Sequence, residues 1–322
     1  MASSSGKLVK QIYKTHRIRT HCPKTTAKAA FLKHSCLIEQ IKCQFTQIKA
    51  QFFMFSPFFE FSAQMLICLA ATLGLMAGLW LISLRLHDVS FIDAFWAPCF
   101  AWIAWVAYFL TAPQTPRSFL ILGLVTLWAA RLGGHLWRRW RLEGEEDRRY
   151  QAMRRKTANF PMRSLFTVFG FQAVLAWIIS LPLQLALFTD KPLAFGILDY
   201  LGIVCFGIGF FMEATADAQL TAFKADPKNK GKVLDTGLWS WSRHPNYFGN
   251  ALLWWGLFFI CLTSYAALFT VFAPLLMTYL IINISGVKLL ERGLNKTRSQ
   301  YGDYAKRVSA FVPLPPKRER HK

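Results

Sequence analysis

One stretch concentrates the groups that could do chemistry. It reads Thr236-Gly-Leu-Trp-Ser-Trp-Ser-Arg-His-Pro-Asn-Tyr-Phe-Gly249 and runs straight into Asn250-Ala-Leu-Leu-Trp-Trp-Gly-Leu-Phe-Phe-Ile260. Arg243 brings a cation, His244 an imidazole, Asn246 and Asn250 amides, Tyr247 a phenol, and Pro245 fixes the turn, all at the mouth of an apolar helix where water gives way to lipid. Polar groups in that position can hold a charged cofactor while the adjoining apolar volume holds a greasy substrate. Arg, Tyr and Trp also anchor helices at membrane boundaries. Anchoring alone explains neither the Gly-rich backbone nor the density of hydrogen-bonding side chains, so the stretch is read as a site.

Four other segments add charge within or beside apolar runs. Glu213 and Asp217 are four residues apart and share a helical face, continued by Gln219 and Thr221. Carboxylates at that depth face a cavity or a partner rather than lipid; a structural ion pair with an arginine and a ligand role serve equally well, and both turn them inward. Arg131, Gly133, Gly134 and His135 interrupt an earlier apolar span, and Arg138 falls on nearly the same face as Arg131. Beyond them, Gly144-Glu-Glu-Asp-Arg-Arg-Tyr150 mixes acids and arginines. A solvated loop is the ordinary reading of such a run, yet arginine forks nearby suit phosphate. In Asp88-Val-Ser-Phe-Ile-Asp-Ala-Phe-Trp96, Asp88 and Ser90 compete as N-cap. Asp93 lies past the cap among apolar residues and is the candidate for a buried acid that donates a proton; His135 is the second candidate for proton chemistry.

The elements that must position these groups are membrane helices. Hydrophobic residues make up 54% of the 322-residue chain, with 29 Phe and 12 Trp, too apolar for an ordinary soluble domain. The expected fold is all-α, a polytopic membrane protein of seven transmembrane helices near 63–84, 91–110, 119–137, 165–187, 193–214, 247–262 and 266–284, with a cofactor pocket facing the cytoplasm. Basic stretches at 138–163, 224–243 and 288–322 alternate with weakly charged loops, which places the basic connectors and the C-terminus in the cytoplasm. The net charge of +21 therefore serves topology and anionic ligands. Its cations fall between hydrophobic runs and form no aromatic-studded basic face, so nucleic acid is not an expected partner. The seven cysteines contain no C-x-x-C pair, which indicates neither a disulfide framework nor a metal site.

The first 62 residues conflict with this topology. They carry ten Lys or Arg against Glu39 and Glu60, yet seven spans put them outside. A targeting peptide, a membrane-surface segment using the apolar patch at 52–59, and an extension upstream of a start at Met54 or Met65 are the three readings. The last removes the contradiction, giving a basic N-terminal extension (1–62), a membrane domain (63–316) and a basic tail (317–322).

Taken together, the segments resemble the bacterial membrane proteins of unassigned function related to steroid 5-alpha-reductase. The resemblance covers about residues 65–316. It rests on the segment from Asp88 to Trp96, on Arg131-Leu-Gly-Gly-His135 with the 144–150 run, on Ser164-Leu-Phe-Thr-Val-Phe169 and Ser180-Leu-Pro-Leu-Gln184, on the 237–249 turn, on Ser285-Gly-Val-Lys-Leu-Leu-Glu291, and on Tyr301, Tyr304 and Phe311-Val-Pro-Leu-Pro315. It implies a seven-helix enzyme of the bacterial inner membrane that binds NADPH from the cytoplasm and reduces an activated carbon-carbon double bond in a hydrophobic small molecule. In the reductases an Asn at the position of Asn246, polar residues matching Glu213 and Asp217, and a basic residue at Lys224 line the cofactor pocket, and aromatic residues near the C-terminus, here Tyr301 and Tyr304, help close it. Two departures stand out: the reductases have Glu where this chain has Asn250, and their Gln-Glu pair has no clear equal, Asp93 being the substitute. The Arg-His-Pro-Asn-Tyr element also occurs in membrane isoprenylcysteine methyltransferases, so methyl transfer from S-adenosylmethionine is the alternative, and a non-catalytic lipid-binding protein a third. Arg131, Arg138, Lys224 and Arg243 together favour the phosphate-bearing dinucleotide electrostatically.

Overall fold

The computed structural model describes residues 27–113, 115–189, 194–284, 287, 291, 298 and 300–317, with side chains from 57 onward. The basic segment 1–26, most of the 285–291 motif and the tail beyond 317 lie outside the described residues. The chain divides into two units, Met1–Glu60 and Phe61–Lys322.

Helix is the only repeating secondary structure among the described residues, and the one β-type pairing is an isolated bridge, Ser242 with Ser309. In order the helices are α1 (Ala27–Leu86), α2 (Ser90–Thr111), α3 (Pro116–Glu143), α4 (Arg148–Lys156), α5 (Phe160–Ile179), α6 (Leu181–Phe188), α7 (Ile197–Ala225), α8 (Pro245–Ile260), α9 (Tyr265–Ile284) and α10 (Tyr301–Arg307). Six segments among the described residues are long and apolar enough to cross a membrane: Pro57–Leu86 of α1, α2, α3, α5, α7 and α9. The expected sixth of seven spans is α8, whose 16 residues rise about 24 Å, less than the other six; it runs antiparallel to α7, with Gly249 opposite Gly209 and Gly256 opposite Gly202, and so returns the chain along the bundle. It is buried within the bundle, with Leu253, Trp254, Leu257 and Ile260 all at most 2% exposed. The expected span 165–187 is also divided. Pro182 offers no N–H and crowds the preceding turn, so α5 stops at Ile179 and α6 begins after Ser180.

Local chemistry sets the helix ends. Thr115 caps α3 by accepting from Ser118 N at 3.2 Å, with Pro116 in the first turn. Gly144 closes α3 in the left-handed region at φ 69°. Asp147 caps α4 through Arg149 N at 2.8 Å, and Arg154, Arg155 and Lys156 occupy its last turn, where the helix dipole favours cations.

The contact that matters most for function is between α7 and α8. Gly202 faces Gly256 and Gly209 faces Gly249 across an antiparallel crossing. A Cβ on Gly209 would lie 2.5 Å from Gly249 O, and one on Gly256 would lie 2.6 Å from Gly202 O. Small residues that let backbones touch are how helices pack in lipid, where no hydrophobic effect drives association. This seam sets the carboxylates of α7 opposite the amides of α8. Beside it, Phe100, Trp128 and Trp254 pack as a mutual aromatic trio, with ring centroids 4.7 to 5.8 Å apart. At the end of the bundle away from the basic connectors, Arg117 makes a buried two-point pair with Asp199, Nε to Oδ1 at 2.8 Å and Nη2 to Oδ2 at 2.7 Å.

Candidate functional site

Three helices bring seven polar side chains together. From α3 come Trp128, Arg131 and His135; from α7, Glu213 and Asp217; from α8, Asn246 and Asn250. Arg131 Nη1 donates to Asp217 Oδ2 at 2.8 Å, and its Nη2 lies 3.5 Å from Glu213 Oε2. Asn246 Nδ2 donates to the other oxygen of Asp217 at 3.0 Å, and Asn250 Nδ2 donates to Glu213 Oε1 at 2.8 Å. Trp128 Nε1 reaches Glu213 Oε2 at 3.1 Å, and His135 Nε2 stands 3.8 Å from Asp217. The ion-pair reading of Glu213 and Asp217 is therefore realised, with Arg131 as the cation. Two carboxylates share one guanidinium, and the buried Arg131 Nε and Nη2 have no hydrogen-bond partner among the described residues. Buried charge is costly unless paired, so an incompletely matched cluster marks a place where a ligand can complete the pairing.

A second group surrounds the start of α2. Asp93 receives Arg149 Nη2 at 2.6 Å and Tyr150 Oη at 2.7 Å. The sequence suggests a sequestered acid; the structure gives Asp93 a side chain 24% exposed and ion-paired, because α4 folds back to cover the end of α2. The proton in this pair sits on Tyr150, whose hydroxyl burial and the neighbouring Asp93 carboxylate hold far above the usual phenol range. Asp88 accepts from Ser90 N and Oγ and from Trp140 Nε1, settling the competition over that turn. Tyr247 follows Asn246 at the start of α8, where its backbone N–H donates to Asn246 Oδ1 at 3.0 Å.

A third group is a clamp on the C-terminal segment. Arg243 Nε donates to Glu291 Oε1 at 2.8 Å and its Nη1 to Ala305 O at 2.6 Å. His244 Nε2 is 3.3 Å from the same Glu291 oxygen, and its ring stacks on Tyr247 with centroids 5.6 Å apart. Burial pushes the imidazole down to about 4 against the pull of Glu291. Tyr304 Oη donates to Trp239 O at 2.7 Å, Tyr301 packs on Tyr304, and Ser242 Oγ donates to Phe311 O. Arg243, His244, Tyr301 and Tyr304, expected around the cofactor, are thus joined to one another and to the chain terminus rather than to the α3–α7–α8 cluster, because Glu291 takes the guanidinium. Arg138 and Lys224 are exposed at the basic ends of α3 and α7.

Residues 79–308 match a family described as protein of unknown function, DUF1295. The chain belongs to that family. An uncharacterised protein of the fission yeast Schizosaccharomyces pombe is similar as well, 28% identical over an alignment of 200 positions that covers 55% of this chain and 58% of the yeast protein. The match thus spans less than two thirds of that relative. No solved structure matches the chain. Every candidate residue from Asp93 to Tyr304 falls inside the family segment, whereas Ser309 and Phe311 of the clamp lie beyond it.

Several participants escape sequence reasoning. Trp128 looks like one more apolar residue, and its indole donor becomes visible only when α7 brings Glu213 alongside. Tyr150 sits in a run that reads as solvated loop; its spacing from Arg154, four residues on, was the available signal. Nothing local marks Glu291 as the partner of Arg243.

Proposed function

We propose that this integral membrane protein is an NADPH-dependent reductase of a carbon-carbon double bond in a lipid-soluble, enone-like substrate. Its basic connectors and C-terminus face the cytoplasm, at the inner membrane in a bacterial cell. The observation that carries this reading is the cluster of Arg131, Glu213, Asp217, Asn246 and Asn250 on three membrane-embedded helices, of which Glu213, Asp217 and Asn246 stand at positions the reductase resemblance assigns to the cofactor.

The residues fit the group. Carboxylates and amides at the inner end suit the hydroxyl and carboxamide parts of a nicotinamide nucleotide, while the exposed Arg138 and Lys224 at the basic end suit its phosphates. With Arg131 and Arg243 already paired to carboxylates, Arg138 and Lys224 carry the electrostatic preference for phosphate. NADPH, when bound, supplies the hydride that reaches the β carbon. In this reading the Tyr150 hydroxyl, which donates to Asp93, turns to the substrate carbonyl oxygen and gives the enolate formed by hydride addition its O–H proton; the enol then takes its α-carbon proton from solvent as it loses the O–H proton, and solvent reprotonates the phenolate. The aromatic trio of Phe100, Trp128 and Trp254 keeps water from the inner end. The departure at Asn250 finds a compensation: the carboxylate that the reductases carry there is supplied by Glu213 on the facing helix.

One observation favours the competing methyltransferase. Two carboxylates against one guanidinium leave a net negative inner cluster, which suits the sulfonium and ammonium of S-adenosylmethionine. Thermal denaturation of the purified protein separates the two. NADPH at a hundredfold excess over Kd should stabilise it by about 2.7 kcal/mol, and Asn246→Ala and Lys224→Gln should each weaken that response. Stabilisation by S-adenosylmethionine with none by NADPH would overturn the reductase reading.

A further inference from the structure

Helix α4 sorts its charges by face. Tyr150 and Arg154, four residues apart, turn inward, Tyr150 to Asp93 and Arg154 to Glu146 through Nε at 3.0 Å and Nη2 at 2.8 Å. Arg149 is taken up by Asp93 and Asp147. The acids that make the 143–150 run look mixed in sequence are thus largely consumed within the fold. The other face presents Arg148, Arg155 and Lys156, all exposed and without a carboxylate partner among the described residues. The chain on either side of α4 carries exposed apolar side chains, Leu142 at 74% before it and Met162 at 47% after it. An exposed cationic face on a short helix joining two membrane spans, with exposed apolar residues on the segments flanking it, is a surface matched to the headgroup boundary, where long cationic side chains reach headgroups while apolar ones enter the acyl region.

We propose that this face of α4 binds the anionic phospholipid headgroups of the leaflet it borders. Charge complementarity selects that occupant: a zwitterionic headgroup offers the same phosphate with its own compensating ammonium, whereas an anionic one leaves its charge for Arg148, Arg155 and Lys156. Tyr150 lies on the opposite side of the same nine-residue helix, so headgroup binding also holds the Tyr150–Asp93 pair in place. The lipid surface is independent of the reductase reading and stands or falls separately.

The test is lipid selectivity around the full chain reconstituted in phosphatidylcholine vesicles, read with trace spin-labelled phosphatidylglycerol against spin-labelled phosphatidylcholine. At low salt the protein should prefer phosphatidylglycerol by at least about fivefold, the factor that one surface cation contributes near an anionic membrane, and the preference should shrink as salt rises. The triple variant Arg148→Gln, Arg155→Gln, Lys156→Gln should bring it toward one, and Lys156→Gln alone should lower it partway. Lys228→Gln with Lys230→Gln, exposed on another connector, should leave it unchanged. Equal selectivity in wild type and triple variant, or equal loss in the control, would overturn the proposal. So would displacement of the labelled lipid by millimolar inorganic phosphate, which would indicate a small-anion site instead.

Discussion

Asn250 donates its amide to Glu213 Oε1 at 2.8 Å across the α7–α8 crossing, so one carboxylate and one amide face each other where both helices are buried. The polarity of that pair should be exchangeable. Asn250→Asp would set two carboxylates against each other and lower stability by about 2–4 kcal/mol. Combining Asn250→Glu with Glu213→Gln moves the charge to the other helix, keeps its count, and should restore most of the melting temperature. If the double variant is as damaged as Asn250→Asp, the pair is not interchangeable and the compensation fails.

Gly209 and Gly249 should tolerate nothing larger. A Cβ at either lies 2.5 Å from backbone oxygen of the facing helix, and the helices must part to admit it. Gly209→Ala should cost about 1–3 kcal/mol and lengthen the contacts from Asn246 to Asp217. Gly123→Ala, whose Cβ would meet nothing within 4 Å, gains the better helix former by up to about 1 kcal/mol. Melting temperatures in detergent compare the two directly.

His244 should make the C-terminal clamp sensitive to acid. Its folded-state pKa of about 4 lies below the usual 6.5, so between those values the unfolded chain binds a proton that the folded chain does not. Stability from this group is complete above about pH 6.5 and is lost as pH falls toward 4, by on the order of 3 kcal/mol at most. His244→Gln removes the titration. The difference in melting temperature between wild type and variant should therefore change across that window, and a constant difference would contradict the assignment.

Arg117 and Asp199 form a buried pair remote from the basic connectors, and breaking it should be costly without touching ligand response. Asp199→Leu alone leaves a buried cation and should destabilise by about 3–5 kcal/mol. Arg117→Leu with Asp199→Leu removes both charges and should recover much of that loss. Both proteins should keep the wild-type thermal response to NADPH, since neither residue belongs to the α3–α7–α8 cluster.

How much of this was legible in the sequence follows from the range of each interaction. Hydropathy and periodicity are local quantities, so the apolar segments, the inward face shared by Glu213 and Asp217, and the polar mouth before α8 could be read directly. The same locality could not show that α8 is only 16 residues long and packed along α7 inside the bundle. Pairing is non-local, and there the sequence was silent. It offered Arg131 and Arg243 as equal cofactor cations; only the tertiary structure gave Arg131 to Asp217 and Glu213 and gave Arg243 to Glu291, 48 residues away. The glycines of α7 and α8 carry no chemical signal individually. They acquire meaning because the two backbones meet at Gly209 and Gly249, and that approach decides which polar groups face each other. The sequence by itself determined a polytopic helical membrane protein with charged groups inside it; the close crossing of three helices decided which of those charges meet, because partners far apart in the chain are chosen by packing.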